Sequence, residues 1–186
     1  MDFPKALTHR SGSCRARTLT TICLAVVASC VFAASVPAAP ANEYQVKAAF
    51  LFNFAKFVEW PANAFSDTST PLVIGVLGHD PFGSYLDDVV RGERVNNRPM
   101  TVQRYRQVGD IKQCQVLFIS RSESDRIDQI VSSLKSRKIL IVTDADGGNG
   151  VMIRFVNQGN RIRFKIDVQA AKAANLVISS KLLRLG

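Results

Sequence analysis

The chain predicts a three-layer α/β/α sandwich with a mixed, partly parallel central sheet that ends in an antiparallel hairpin. Three features carry this expectation. Short, continuously apolar runs recur at residues 71–78, 116–119 and 139–142, as strands buried on both faces require. Segments of helical periodicity lie between them, and alternation of strand and helix implies a parallel sheet covered on both sides. The last third instead alternates apolar and basic residues, the pattern of a strand with one dry and one wet face.

Residues 1–41 read as an export signal. Lys5, Arg10, Arg15 and Arg17 form a positive region, residues 21–34 an almost uncharged apolar run, and Ala39-Pro40-Ala41 a small-residue cleavage site before Asn42. The apolar run falls short of the roughly 20 residues a spanning helix needs. An uncleaved anchor is one competing reading. Lipidation is another: Val27-Ala28-Ser29-Cys30 resembles a lipobox, but apolar residues follow Cys30 where a polar linker belongs. With the signal removed, residues 42–186 form one domain, large enough to hold a core without staples.

Processing changes the charge and the thiol count. The formal charge is +9, and the first 41 residues hold four basic side chains against one acidic, so about +6 remains. That excess favours acidic partners or membrane surfaces. Three of the four cysteines leave with the signal. Cys114 remains as a free thiol with no internal partner, at the start of an apolar strand where a buried, inert role is expected.

Residues 43–59 predict a helix stopped by Trp60-Pro61. Val46, Phe50, Phe54 and Phe57 form one apolar stripe, widened by Ala48, Leu51, Ala55 and Val58. Gln45, Asn53, Lys56 and Glu59 lie opposite. Phe52 falls within that polar arc, covered by the fold or left as a sticky surface group. After the strand at 71–78, residues 82–91 predict a short helix with Tyr85, Leu86, Val89 and Val90 inward. Residues 99–105 and 116–120 predict strands. Residues 122–136 predict an amphipathic helix with Ile127, Ile130, Val131 and Leu134 on one side, and residues 139–142 a buried strand. Residues 151–156 and 161–166 predict a hairpin closed by a four-residue loop, Asn157 to Asn160. Two short helices, at 168–174 and 180–185, close the chain.

Catalytic candidates are few. His79 is the lone histidine after residue 41, which excludes a multi-histidine metal site, and no nucleophile-elbow pattern supports a triad with Asp80. The run from Asp144 to Gly150 lacks both the closing glutamate of a calcium loop and the Gly-Lys-Ser/Thr of a phosphate loop, so it reads as a turn. No cofactor and no enzymatic activity are expected. On the terminal hairpin Arg161, Arg163 and Lys165 share one face, which Arg154 can join from the neighbouring strand. That face either docks an acidic partner or keeps the edge soluble. Nucleic acid is excluded by export and by the lack of interleaved aromatics.

The segment from Glu43-Tyr44-Gln45-Val46-Lys47 through Phe50-Leu51-Phe52-Asn53-Phe54 to Val58-Glu59-Trp60-Pro61 resembles the opening signature of the YfiR-like periplasmic family. The ending, Arg161 to Asp167 followed by Ile178 to Leu185, is similar too, and so are Gly75-Val76-Leu77-Gly78 and the strand from Cys114 to Ser120. The resemblance spans the whole of residues 42–186. It implies a periplasmic α/β/α domain, often dimeric, that inhibits a membrane-bound diguanylate cyclase by binding its periplasmic domain. Cyclic di-GMP signalling and biofilm formation would fall in consequence. Some members carry paired cysteines; here Cys114 holds one such place and Gly75 the other, which puts redox control in doubt. Phe52, Arg154, Arg161, Arg163 and Lys165 are the candidate partner contacts. The alternative function is a periplasmic small-molecule receptor using the cleft beside the strand ends, where open α/β sheets bind ligands; a hydrolase is a distant third.

Overall fold

The computed structural model describes residues 39–186 except Asn160, with side chains from residue 43 onward. The signal features at residues 1–38, Cys30 included, lie outside the described residues. The elements run α1 (Ala39–Phe57), β1 (Val58–Glu59), β2 (Leu72–Leu77), α2 (Ser84–Val90), β3 (Arg94–Val95), β4 (Arg98–Tyr105), β5 (Val116–Ile119), α3 (Ile127–Leu134), β6 (Leu140–Thr143), β7 (Ile153–Gln158), β8 (Arg161–Ile166), α4 (Val168–Ala173), β9 (Val177–Ile178) and α5 (Ser180–Leu183). No described helix is long and apolar enough to cross a membrane.

Seven strands form one sheet in the order β3-β4-β2-β5-β6-β7-β8, and β1 pairs with β9 in a separate two-stranded sheet. The five strands from β4 to β7 are parallel, while β3 and β8 are antiparallel edges. This is the mixed sheet with a terminal hairpin that the apolar runs imply. Every residue of β2, β5 and β6 is buried, because helices cover both faces. Ile74, Val76, Val116, Phe118 and Val142 share one core with α1 and α2. Leu117, Ile119 and Ile141 share the other with α3. Gly75 is required by this packing: a Cβ there would sit 2.6 Å from Tyr105 Cε2 and 2.8 Å from Cys114 Sγ.

Several local expectations need correction. Helix α1 ends at Phe57, because Val58 and Glu59 pair with Ile178 and Val177 instead of continuing the coil. Its buried residues are Lys47, Ala48, Leu51, Phe54 and Ala55, whereas Val46, expected inward, is 39% exposed. The helix is rotated from the expected stripe so that a lysine enters the fold. Tyr85 also points outward, since Phe82, Leu86 and Val90 supply the buried spacing of i, i+4 and i+8 around α2. The amphipathic segment at 122–136 begins as a 3₁₀ turn, Arg121–Arg126, before α3, and it buries Ile127, Ile130, Val131 and Leu134 as expected. The hairpin strands run on to Gln158 and Arg161, so the connection is shorter than four residues, with Gly159 at φ +60°.

Candidate functional site

The terminal hairpin is held against α1 by aromatic contacts. Phe164 packs edge-on to Phe50 and Phe54 at centroid separations of 5.3 and 5.0 Å, and Phe155 lies 5.7 Å from Phe54. Because directly opposed residues of an antiparallel pair share a face, the register places Arg154 with Lys165, Val156 with Arg163 and Gln158 with Arg161 on the outer side. Arg161, Arg163 and Lys165 are exposed, and none makes an ion pair among the described residues. Arg154 is engaged within the fold: its guanidinium donates to the carbonyls of Ala145 and Gly147 and anchors the loop after β6. Phe52 is half-buried, leans on the core and carries Lys56 Nζ 5.0 Å over its ring, so tertiary contacts cover much of it.

A second constellation lies at the carboxyl ends of β5 and β6, under the first turns of α1. Lys47 is fully buried, and its ammonium bonds Asp144 Oδ2 at 2.6 Å and Glu43 Oε1 at 2.6 Å. Tyr44 donates its hydroxyl to the same Asp144 oxygen at 2.9 Å. Arg121 Nε donates to the Asp144 carbonyl at 3.0 Å. Asn157 Nδ2 reaches Glu43 Oε1 at 3.3 Å, which ties the hairpin to the cluster. Asp144 Oδ1 is buried without a partner among the described residues. Burial, reinforced by the charge and hydrogen bond of Asp144, pushes the Tyr44 hydroxyl up to about 12. At Glu43 burial pulls the carboxyl upward, but hydrogen bonds from Lys47 and Asn157 outweigh it and leave the group below its ordinary range. Two acids against two bases make the cluster neutral overall, a pin between α1 and the sheet rather than an acid–base pair open to substrate.

Sequence reasoning missed this cluster, although Lys47 stands four residues before Leu51 and seven before Phe54 on the apolar stripe. A lysine in that register is the readable signal. Asp144 gives a weaker one, a carboxylate directly after four buried strand residues.

The remaining candidates are placed as follows. His79 is exposed, and Asp80 accepts from Phe82 N–H and Arg104 Nε, both at 2.8 Å, so the pair forms no relay. Among the described residues no group of three or more His, Cys, Asp or Glu side chains is placed to hold a metal ion. Gly147, Gly148 and Gly150 all take positive φ in the turn after Asp144. The chain crosses from one side of β2 to the other between β4 and β5, which makes the carboxyl ends of β2 and β5 the expected ligand crevice. Ser122 and Glu123 pack against Gly78 there: a Cβ on Gly78 would lie 2.5 Å from Ser122 Oγ and 2.7 Å from Glu123 Cγ. Cys114 is a buried free thiol, pushed up to about 12 by burial, and sits beside Gly75.

No curated protein sequence matches the chain. A family profile described as YfiR/HmsC-like matches residues 44–186, from the Tyr44 that closes over Asp144 to the last residue. That span takes in the basic hairpin and every member of the ion cluster but Glu43, and it places the chain in the YfiR/HmsC-like family, whose members are periplasmic, non-catalytic regulators acting with a membrane diguanylate cyclase.

Proposed function

We propose that the chain is exported to the periplasm with loss of residues 1–41, and that it inhibits a membrane-bound diguanylate cyclase by binding that enzyme's periplasmic domain. Cyclic di-GMP signalling and biofilm formation fall as a result. The observation that carries this reading is the outer face of the hairpin, where Arg161, Arg163 and Lys165 stand exposed without carboxylate partners among the described residues. Three uncompensated cations on a rigid strand attract an acidic surface, speed its encounter and set its orientation. Phe52, half-buried beside Lys56, supplies an apolar contact at the margin of α1. Self-association as a homodimer belongs to the same reading and is checked by sedimentation. The decisive experiment is capture from membranes of the source organism with the purified chain as bait. Recovery of a cyclase carrying a periplasmic sensor domain supports the proposal, provided that Arg161→Glu, Arg163→Glu and Lys165→Glu together abolish it. No recovery from membranes shown to contain that cyclase overturns it.

A further inference from the structure

Between α3 and α4 the covering layer is open, leaving a cavity of about 350 Å³. Its floor is Ile141 of β6 and Met152, joined by the Met152 N–H to the Ile141 carbonyl at 3.1 Å. Val131 and Leu134 of α3 form one wall. The facing wall is α4, which presents Ala170 and Ala173. Side chains that stop at Cβ cannot close the space between two helices, and so a gap remains where a core would interdigitate. The volume lies at the small end of the ~300–1,000 Å³ range of ligand pockets.

The cavity has one sign of charge. Lys135 and Arg137 belong to its lining, and among the described residues no carboxylate does. Arg137 is held in place by donating to the carbonyls of Ile111 and Lys112 at 2.8 and 3.1 Å, which fixes its position without neutralising it. The Lys135 ammonium has no acceptor among the described residues and is exposed. An apolar trough lined by two cations, one of them with a free ammonium, matches one chemistry: an alkyl body with a single anionic head.

The geometry points to a binding site for a medium-chain carboxylate, its chain laid on Ile141 and Met152 and its head at the Lys135 ammonium. This site is separate from the strand-end crevice beside Gly78, Ser122 and Glu123, and it does not depend on any cyclase. The test titrates the purified chain with decanoate, kept below its micellar concentration, while the methyl resonances of Met152, Ile141 and Val131 are followed. Saturable shifts at these three methyls are expected, with decanol at least about tenfold weaker because the charged contacts are lost. Lys135→Glu, on an exposed side chain, is expected to weaken decanoate by about tenfold or more and to leave decanol unchanged. Ala173→Phe, at the exposed lip of α4, is expected to block both ligands without lowering the unfolding midpoint. Absence of saturable shifts overturns the proposal. So does equal binding of decanol and decanoate, or decanoate binding that neither substitution alters.

Discussion

Lys47 and Asp144 stand 97 residues apart in the chain and meet at 2.6 Å inside the fold, both side chains essentially inaccessible to water. The contact joins the first helix to the loop after β6, and through Glu43 and Asn157 it continues to the hairpin. A lysine buried this completely is accommodated where carboxylates reach its ammonium, here Asp144 and Glu43.

Removing one partner is therefore expected to be severe. Asp144→Ala should destabilise the chain by about 3–5 kcal/mol, because it leaves the Lys47 ammonium buried with Glu43 alone. The double variant Lys47→Met/Asp144→Leu should be clearly more stable than Asp144→Ala, since neither charge then remains to be desolvated. Urea unfolding with unchanged m-values checks both, and a double variant as unstable as the single one would show that the charge is not the cause.

The thiol of Cys114 should be silent in the folded protein. With the group pushed up to about 12, alkylation by iodoacetamide at pH 8 is expected to be slower by about a thousandfold or more than in the urea-unfolded chain. Rapid labelling under native conditions would place the thiol in a more open setting.

Gly75 offers the matching experiment. Gly75→Ala should cost about 1–3 kcal/mol, because its new Cβ meets Tyr105 and Cys114 at less than contact distance. Gly75→Cys puts a second thiol against Cys114, and non-reducing peptide mapping after oxidation is expected to show the 75–114 disulfide. Two free thiols would mean that Tyr105 does not yield.

Acid should weaken the fold in a defined window. Asp67 is lowered from 3.8 to about 2 by hydrogen bonds from Ser69 and Thr70, and Asp87 is lowered chiefly by the Arg104 guanidinium. Glu43 is lowered as well. Each native carboxyl holds its proton less tightly than the unfolded one, so the unfolded state takes up more protons as pH falls. Stability should be full above about pH 4 to 5 and decline toward pH 2. Chemical denaturation across that range measures it, and Asp67→Asn should flatten the lower part of the decline.

Substitutions on the hairpin face separate binding from folding. Arg161→Glu, Arg163→Glu and Lys165→Glu should each alter stability by no more than about 0.5 kcal/mol, because the side chains are exposed. Phe52→Ala should cost about 1 kcal/mol or more through lost packing. If it also leaves cyclase capture unchanged, Phe52 belongs to the core alone.

The strands were legible because their signals are local. The runs that became β2, β5 and β6 are apolar without interruption, and β8 alternates Arg161, Arg163 and Lys165 with Ile162, Phe164 and Ile166. Each pattern follows directly from how many faces of the strand are covered. The helical face of α3 was equally plain, since Ile127, Ile130, Val131 and Leu134 repeat at helical spacing. The alternation of elements and the long opening segment also carried the layer architecture and the family.

What the sequence determined by itself, then, was the long strands of the main sheet, the buried side of α3, and the basic strip on β8. Tertiary structure decided which side of α1 faces inward, because this lysine enters the core only where Asp144, 97 residues away, supplies a counter-charge, and that acid cannot be identified before the chain folds. It also decided that Arg154 braces a loop and that Ser122 and Glu123 pack against Gly78. Hydrogen bonds and steric contacts between residues remote in sequence settle such matters, and a one-dimensional pattern does not record them.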